Sequence, residues 1–443
     1  MTDGAGVPSP VVRADRTRLV AVARSGQVAM SVGLLAFGAA SYVYLAASGR
    51  ALGPAAFAPV SVLYSVVYLV GSGLYVPFEQ ELGRSISARR ARGEGSAALV
   101  RSAAIVAVST FVVAAAIVGV LSPYLSDHLF RGRSGFVVVF VLGIGGVGLT
   151  FFSRGLLAGS GRYHGFAALF LADAAVKSVP ALVLLVAGVR EPLAYGAVLA
   201  ASCFVGALLP LTRPTPLGGS GAPTATSALV TSLGFLLLTS FFSSLTINVG
   251  TIAVEVLATR SEATEAGVFL SGLVIARIPL FLSQAVQAIV LPRLSEMAAS
   301  GRMGEFRRSV RLLGTALAAG TAVATAGSAI VGPFVVQLMF GDAFDLLGAL
   351  DMALLTLASM LGMCALTVNQ AQIALHHQRQ TWWPWAGASL VFVVVTALTG
   401  PDLFRRVEVG MVAASGVATL LSASLLLREL RHPDRIGHDI PAL

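Results

Sequence analysis

Runs of about twenty predominantly apolar residues recur along the whole chain, separated by short arginine-bearing segments. That recurrence constrains the fold more than any single motif. A helix needs about twenty such residues to cross the hydrocarbon layer. With no water there, each backbone N–H and C=O must bond within its own segment. The ruler places spans near 26–48, 55–76, 99–121, 135–156, 164–188 and 194–212, then near 228–256, 264–290, 310–332, 347–368, 382–400 and 408–427. Between the two sets lies RPTPLGGSGAPTATS, a Pro/Gly/Ser/Thr-rich linker at 213–227. The fold expected is an all-α polytopic membrane protein, twelve helices in two pseudo-symmetric six-helix bundles about a central cavity. Residues 1–25 read as a mobile cytoplasmic arm, 26–212 and 228–427 as the two bundles, and 428–443 as a cytoplasmic tail.

Charge sharpens the picture. Charged residues are 12% of the chain, about half the share usual in soluble domains. The net charge of +9 does not point to nucleic acid, because the arginines sit in short loops between apolar runs. There they act as topology signals and contacts for anionic lipid. Loops on the amino-terminal side hold 21 arginines and the opposite loops seven. By the positive-inside rule both termini are expected in the cytoplasm, with the protein multi-pass in the cytoplasmic membrane. Trp382, Trp383 and Trp385 cluster where the eleventh span leaves that side and read as an interfacial aromatic belt. Cys203 and Cys364 both lie in apolar runs, so neither a disulfide framework nor a metal centre is expected. His376 and His377 are adjacent at a helix end and give no ligand pattern.

An internal repeat supports the six-plus-six division. LSPYLSDHLF at 121–130 aligns with VGPFVVQLMF at 331–340, pairing Pro123 with Pro333 and Phe130 with Phe340. Because each half has an even number of spans, the halves enter the membrane in the same direction. Parallel repeats of this kind place a site at their interface near the midplane.

A few polar residues stand out inside the spans. Arg277 lies near the middle of the eighth, and a charge there is costly enough to mark a functional site. Gln284 and Gln287 follow seven and ten residues on, so the three share one broad helical face. A guanidinium with two amides suits a phosphate or sugar headgroup, since Arg reads phosphate oxygens bidentately. The competing reading is an arginine that locks helices together through a carboxylate or carbonyl. Asp173 and Lys177, four residues apart on the fifth span, share a face. They read either as an ion-coupling site or as a self-neutralised pair that lowers its own insertion cost, and the second is favoured. Arg154 either snorkels to the interface or lines a vestibule with Arg162 and Tyr163. Asn248 in the seventh span serves equally as substrate contact or interhelical glue. Glu79 and Glu81 read as surface salt bridges. No Walker loop, HExxH or GxSxG is present, so neither an enzyme nor an ATP-driven pump is expected, and no cofactor.

RALGPAAFAPVSVLYSVVYLV (50–70), GLLAGSGRYHGFA (155–167) and VFLSGLVIARIPLFLSQAVQAIVLPRLSEMAASG (268–301) resemble the multidrug/oligosaccharidyl-lipid/polysaccharide exporter superfamily, in its bacterial polysaccharide flippase branch. The resemblance implies a cation-lined cavity for a lipid-diphosphate-linked sugar, with Arg277 as a cavity cation and two halves that rock to alternate access. It also implies glycosyltransferases or a polymerase of a polysaccharide pathway as partners. Two features depart from it. Asn248 is followed by Val249 and Gly250 where such proteins often carry an acidic residue, and the first span lacks the aspartate of a drug exporter. The alternatives are a cation-coupled drug or metabolite antiporter of the same fold and a non-transporting scaffold for cell-wall synthesis.

Overall fold

The computed structural model describes residues 10–208, 226–259, 261–280, 294, 297, 300–375 and 380–431. Among these residues the ordered backbone is helical and no strand occurs. In chain order, α1 (10–52) and α2 (54–91) form one continuous path broken at Gly53. Its φ of 71° and ψ of 170° are a backbone state that glycine reaches without steric cost. Then come α3 (Ala97–Val120), α4 (Gly135–Gly159), α5 (Tyr163–Val186) and α6 (Pro192–Leu208). The second half holds α7 (Thr226–Leu257), α8 (Ala263–Ala276), α9 (Met303–Phe340), α10 (Ala349–Ala374), α11 (Trp382–Leu398) and α12 (Leu403–Arg431). Among the described residues twelve long helices result, six before 209–225 and six after it.

Several helices outrun the apolar runs that located them. The first begins at Pro10, inside the segment expected to be an arm. Its Ala, Arg and Leu residues favour continuation as a helix. Helix α2 continues to residue 91, well past the last apolar residue of its run. The third span divides at Leu121, giving a separate short helix, Ser122–Leu129. Its repeat counterpart stays whole as the 38-residue α9. The helical end at Arg431 likewise takes in the start of the expected tail.

Apolar side chains cover the outer faces of the spans as well as filling the core. Val108, Val112, Ile117, Val183, Leu390 and Leu420 are exposed, as lipid-facing side chains must be when the solvent is hydrocarbon. Polar side chains also gather where the halves meet, largely along α1, α2 and α7. The tryptophan cluster divides accordingly: Trp383 is exposed, whereas Trp385 is fully buried. Thr246 on α7 donates to the Trp385 carbonyl at 3.3 Å, so Trp385 belongs to the α7–α11 packing and not to an interfacial belt.

Candidate functional site: a charged cavity between the halves

A cavity of about 700 Å³ lies between the two halves, within the range of small-molecule sites. Its walls come from α1, α2, α4, α5 and α6 on one side and from α7, α8 and α10 on the other. The lining reaches Met30, Gln80, Gly83 and Ala158 toward the end that carries Pro10 and Arg431, here the terminus end.

At the far end the halves touch and the cavity stops. The Glu255 carboxylate on α7 accepts from Arg131 at 2.5 and 2.8 Å, and Arg131 also donates to the Ala55 carbonyl at 2.8 Å. Arg131 itself sits at φ 53° in the turn before α4. Arg50 donates to the Met339 carbonyl at 2.8 Å and also to that of Leu338. Phe57 packs on Phe340 and Phe344 with centroids 5.5 and 6.0 Å away. Gly267 lies so close to the Pro54 carbonyl that any Cβ there would collide with it. Arg131, which the sequence offers only as a loop charge, and Arg50, which it also offers as a residue at one rim of the cavity, thus close that end.

Arg277 is brought to the wall by a break in its helix. Pro279 cannot donate to the Ile275 carbonyl, and its ring crowds that oxygen, which ends the regular ladder two residues earlier. Accordingly the Arg277 N–H bonds the Val274 carbonyl at 3.2 Å in a three-residue step. The side chain crosses to α7, where Nη2 donates to the Ile247 carbonyl at 2.6 Å and to Thr251 Oγ1 at 3.5 Å. Nη1 donates to Asn248 Oδ1 at 3.4 Å, and Asn248 Nδ2 in turn donates to the Ser244 carbonyl at 2.9 Å. Two residues selected separately from sequence are therefore one unit. Among the described residues no carboxylate neutralises Arg277. Gln284 and Gln287, expected on the same face, lie outside the described residues.

The first half's charges beside the cavity are paired. Lys177 is fully buried, with Nζ 3.2 Å from Asp173 Oδ2 and 2.9 Å from the Tyr68 hydroxyl. It also stands 4.2 Å from the centre of the Phe37 ring, a cation–π contact strengthened by the lack of water. Asp173 lines the cavity, and its Oδ1 is buried with no hydrogen-bond partner among the described residues. Arg154 faces the cavity as well, 3.0 Å from Glu79. Its guanidinium is boxed by the Phe151, Phe166 and Phe170 rings at 4.7, 5.4 and 5.0 Å. Glu79 is thus a cavity residue and not a surface one. Glu81, also expected at the surface, is buried against Arg84 and Ser85 at 2.8 and 2.7 Å.

Of the charged side chains on the wall, Glu79 cancels Arg154 and Lys177 cancels Asp173, leaving the positive charge of Arg277. The same wall carries eight serines, Ser31, Ser41, Ser61, Ser65, Ser72, Ser240, Ser243 and Ser244, with Gln80 and Gln370. Among the described residues the wall therefore offers one uncancelled cation and many neutral donors and acceptors.

No protein-family model matches the sequence, and no curated protein does. Solved structures do match over nearly the full length. An outward-facing multidrug resistance MATE family transporter of the MOP superfamily aligns with a TM-score of 0.65 at 14% identity, covering 93% of this chain and 97% of that one. An inward-facing transporter of the same description aligns at 0.63 and 14%, covering 92% and 99%. A MOP superfamily transporter from Pyrococcus furiosus, described as having a binding pocket of reverse polarity, aligns at 0.60 and 14%, covering 92% and 97%. At such identities the likeness is one of architecture: the chain has the twelve-helix fold of the MATE transporters of the MOP superfamily.

Proposed function

We propose that the protein is an alternating-access flippase for a lipid-diphosphate-linked oligosaccharide. The observation that carries this reading is the cavity wall with Arg277 as its uncancelled charge amid serine hydroxyls and amides. A diphosphate is matched by a guanidinium that keeps donors free of carboxylate. Sugar hydroxyls are matched by groups that both donate and accept. An unaided headgroup in hydrocarbon would lose its hydrogen bonds, and the cavity replaces them while the lipid chain stays in the bilayer. By the arginine distribution the terminus end is cytoplasmic, which makes this an inward-open state closed outside by Arg131–Glu255 and Arg50. Turnover requires that the substrate bind the two states with different affinity. The partners that follow are bilayer lipids and the glycosyltransferases or polymerase of a polysaccharide pathway.

One observation favours a second reading, a cation-coupled antiporter: Asp173 presents a buried oxygen without a hydrogen-bond partner beside the cavity. Proteoliposomes loaded with a fluorescent polyprenyl-diphosphate oligosaccharide separate the two. The flippase reading expects wild type to move the headgroup between leaflets, Arg277→Ala to abolish this and Arg277→Lys to restore part. Headgroup movement at background rate in all three, with proton-driven efflux of organic cations, would replace it by the antiporter.

A further inference from the structure

A second cavity, of about 570 Å³, lies outside the halves' interface, between α9, α10 and α12. Arg307 and Arg311 form its rim at the terminus end, one helical turn apart on α9, and its interior is lined by residues such as Leu313, Leu317, Val368 and Leu426. Small residues create it: Gly314, Ala371 and Ala423 stand where larger side chains would close the gap. A Cβ at Gly314 would meet no atom within 4 Å. An apolar cluster that includes Phe306 and Leu375, and shares Ala371, Leu426 and Leu430 with the groove wall, packs the helices together there. Arg307 Nη2 ties α9 to the Leu430 carbonyl at 2.6 Å. Arg311 is exposed and has no protein partner among the described residues. Glu305, the acidic residue nearest the rim on α9, pairs with Arg302 at 3.2 Å.

We infer that this groove is a binding site for one anionic glycerophospholipid of the terminus-side leaflet, its phosphate on Arg307 and Arg311 and an acyl chain between the three helices. Basic rims over apolar clefts between spanning helices have the charge and shape for such headgroups. The occupant is a resident lipid and not the tail of a transported one, because α10 separates the groove from the central cavity. Leu366 and Gln370 of that helix face the cavity, whereas Thr367, Val368 and Ala371 line the groove. The inference does not depend on what the central cavity carries.

Native mass spectrometry of the full chain, purified in mild detergent, followed by thermal unfolding in nanodiscs with and without phosphatidylglycerol, tests it. The expected result is one retained anionic phospholipid and a melting temperature raised by phosphatidylglycerol but not by phosphatidylcholine. Arg311→Gln should weaken retention about tenfold, as for loss of one charged hydrogen bond. Gly314→Leu fills the groove in open space and favours helix, so it should keep the fold and lose the lipid. Equal retention of the zwitterionic lipid, or retention unchanged in Gly314→Leu, would overturn the inference. A retained polyprenyl phosphate or a lipid-free dimer would overturn it too, assigning the groove to a carrier lipid or to a second copy.

Discussion

In the first half of the bundle each cavity-side cation has a carboxylate within bonding distance: Lys177 has Asp173 at 3.2 Å, and Arg154 has Glu79 at 3.0 Å. In the second half Arg277 reaches, among the described residues, a carbonyl, an amide and a hydroxyl, with no carboxylate. The difference separates two uses of buried charge. A paired ion leaves little net field and holds helices in register, but removing one partner strands the other in a medium that cannot solvate it. A cation held by neutral groups keeps its charge available to whatever enters the cavity.

The largest effect expected from this contrast is on stability at Lys177. Replacing it with Met leaves Asp173 buried beside a thioether, and the loss should be about 3–5 kcal/mol, as for breaking a buried pair. Adding Asp173→Asn should recover most of it. Reversible unfolding in detergent, followed by the accessibility of buried Cys203, would measure both. A single variant as stable as wild type would show that Asp173 needs no cation. The same measurement on Arg277→Met should give much less, about 1 kcal/mol, because the Ile247 carbonyl it abandons faces a cavity that water can enter. A loss as large as at Lys177 would make Arg277 a structural lock and remove the distinction between the halves.

The sequence located the helical architecture well because spanning length is a local property: the apolar runs are countable. Arg277 was legible for a related reason, as a charge inside an apolar run. Its partnership with Asn248 was not, because the two lie on different helices and meet only through the break at Pro279. Glu79 was misplaced by the same ruler that found its helix. Counting apolar residues ended the second span at 76, while the backbone continues as helix to 91 and carries Glu79 back toward Arg154. Trp385 resembled its neighbours in sequence, yet two residues past Trp383 is about 200° around the helix, which turns it away from the outer surface into the α7–α11 packing. The groove of α9, α10 and α12 had no signature, since a gap left by small residues exists only once three helices assemble.

The smallest effect sharpens the comparison from the other side. Glu79→Gln keeps the shape of the side chain and a hydrogen-bond acceptor for Arg154 but removes the neutralising charge. Arg154 would remain held by its three rings, each worth about 0.5–2 kcal/mol as a cation–π contact, so the fold should lose no more than about 1 kcal/mol. The cavity, however, would now present two uncancelled cations, one on each half. An anionic headgroup should then bind a few-fold more tightly, a gain of about 1 kcal/mol for a charge near a partly wet surface. Binding of a soluble sugar diphosphate, measured by titration calorimetry at low and high salt, would show the gain shrinking as ionic strength rises. If Glu79→Gln binds no better than wild type, the two walls do not act on the same ligand, and Arg277 works alone.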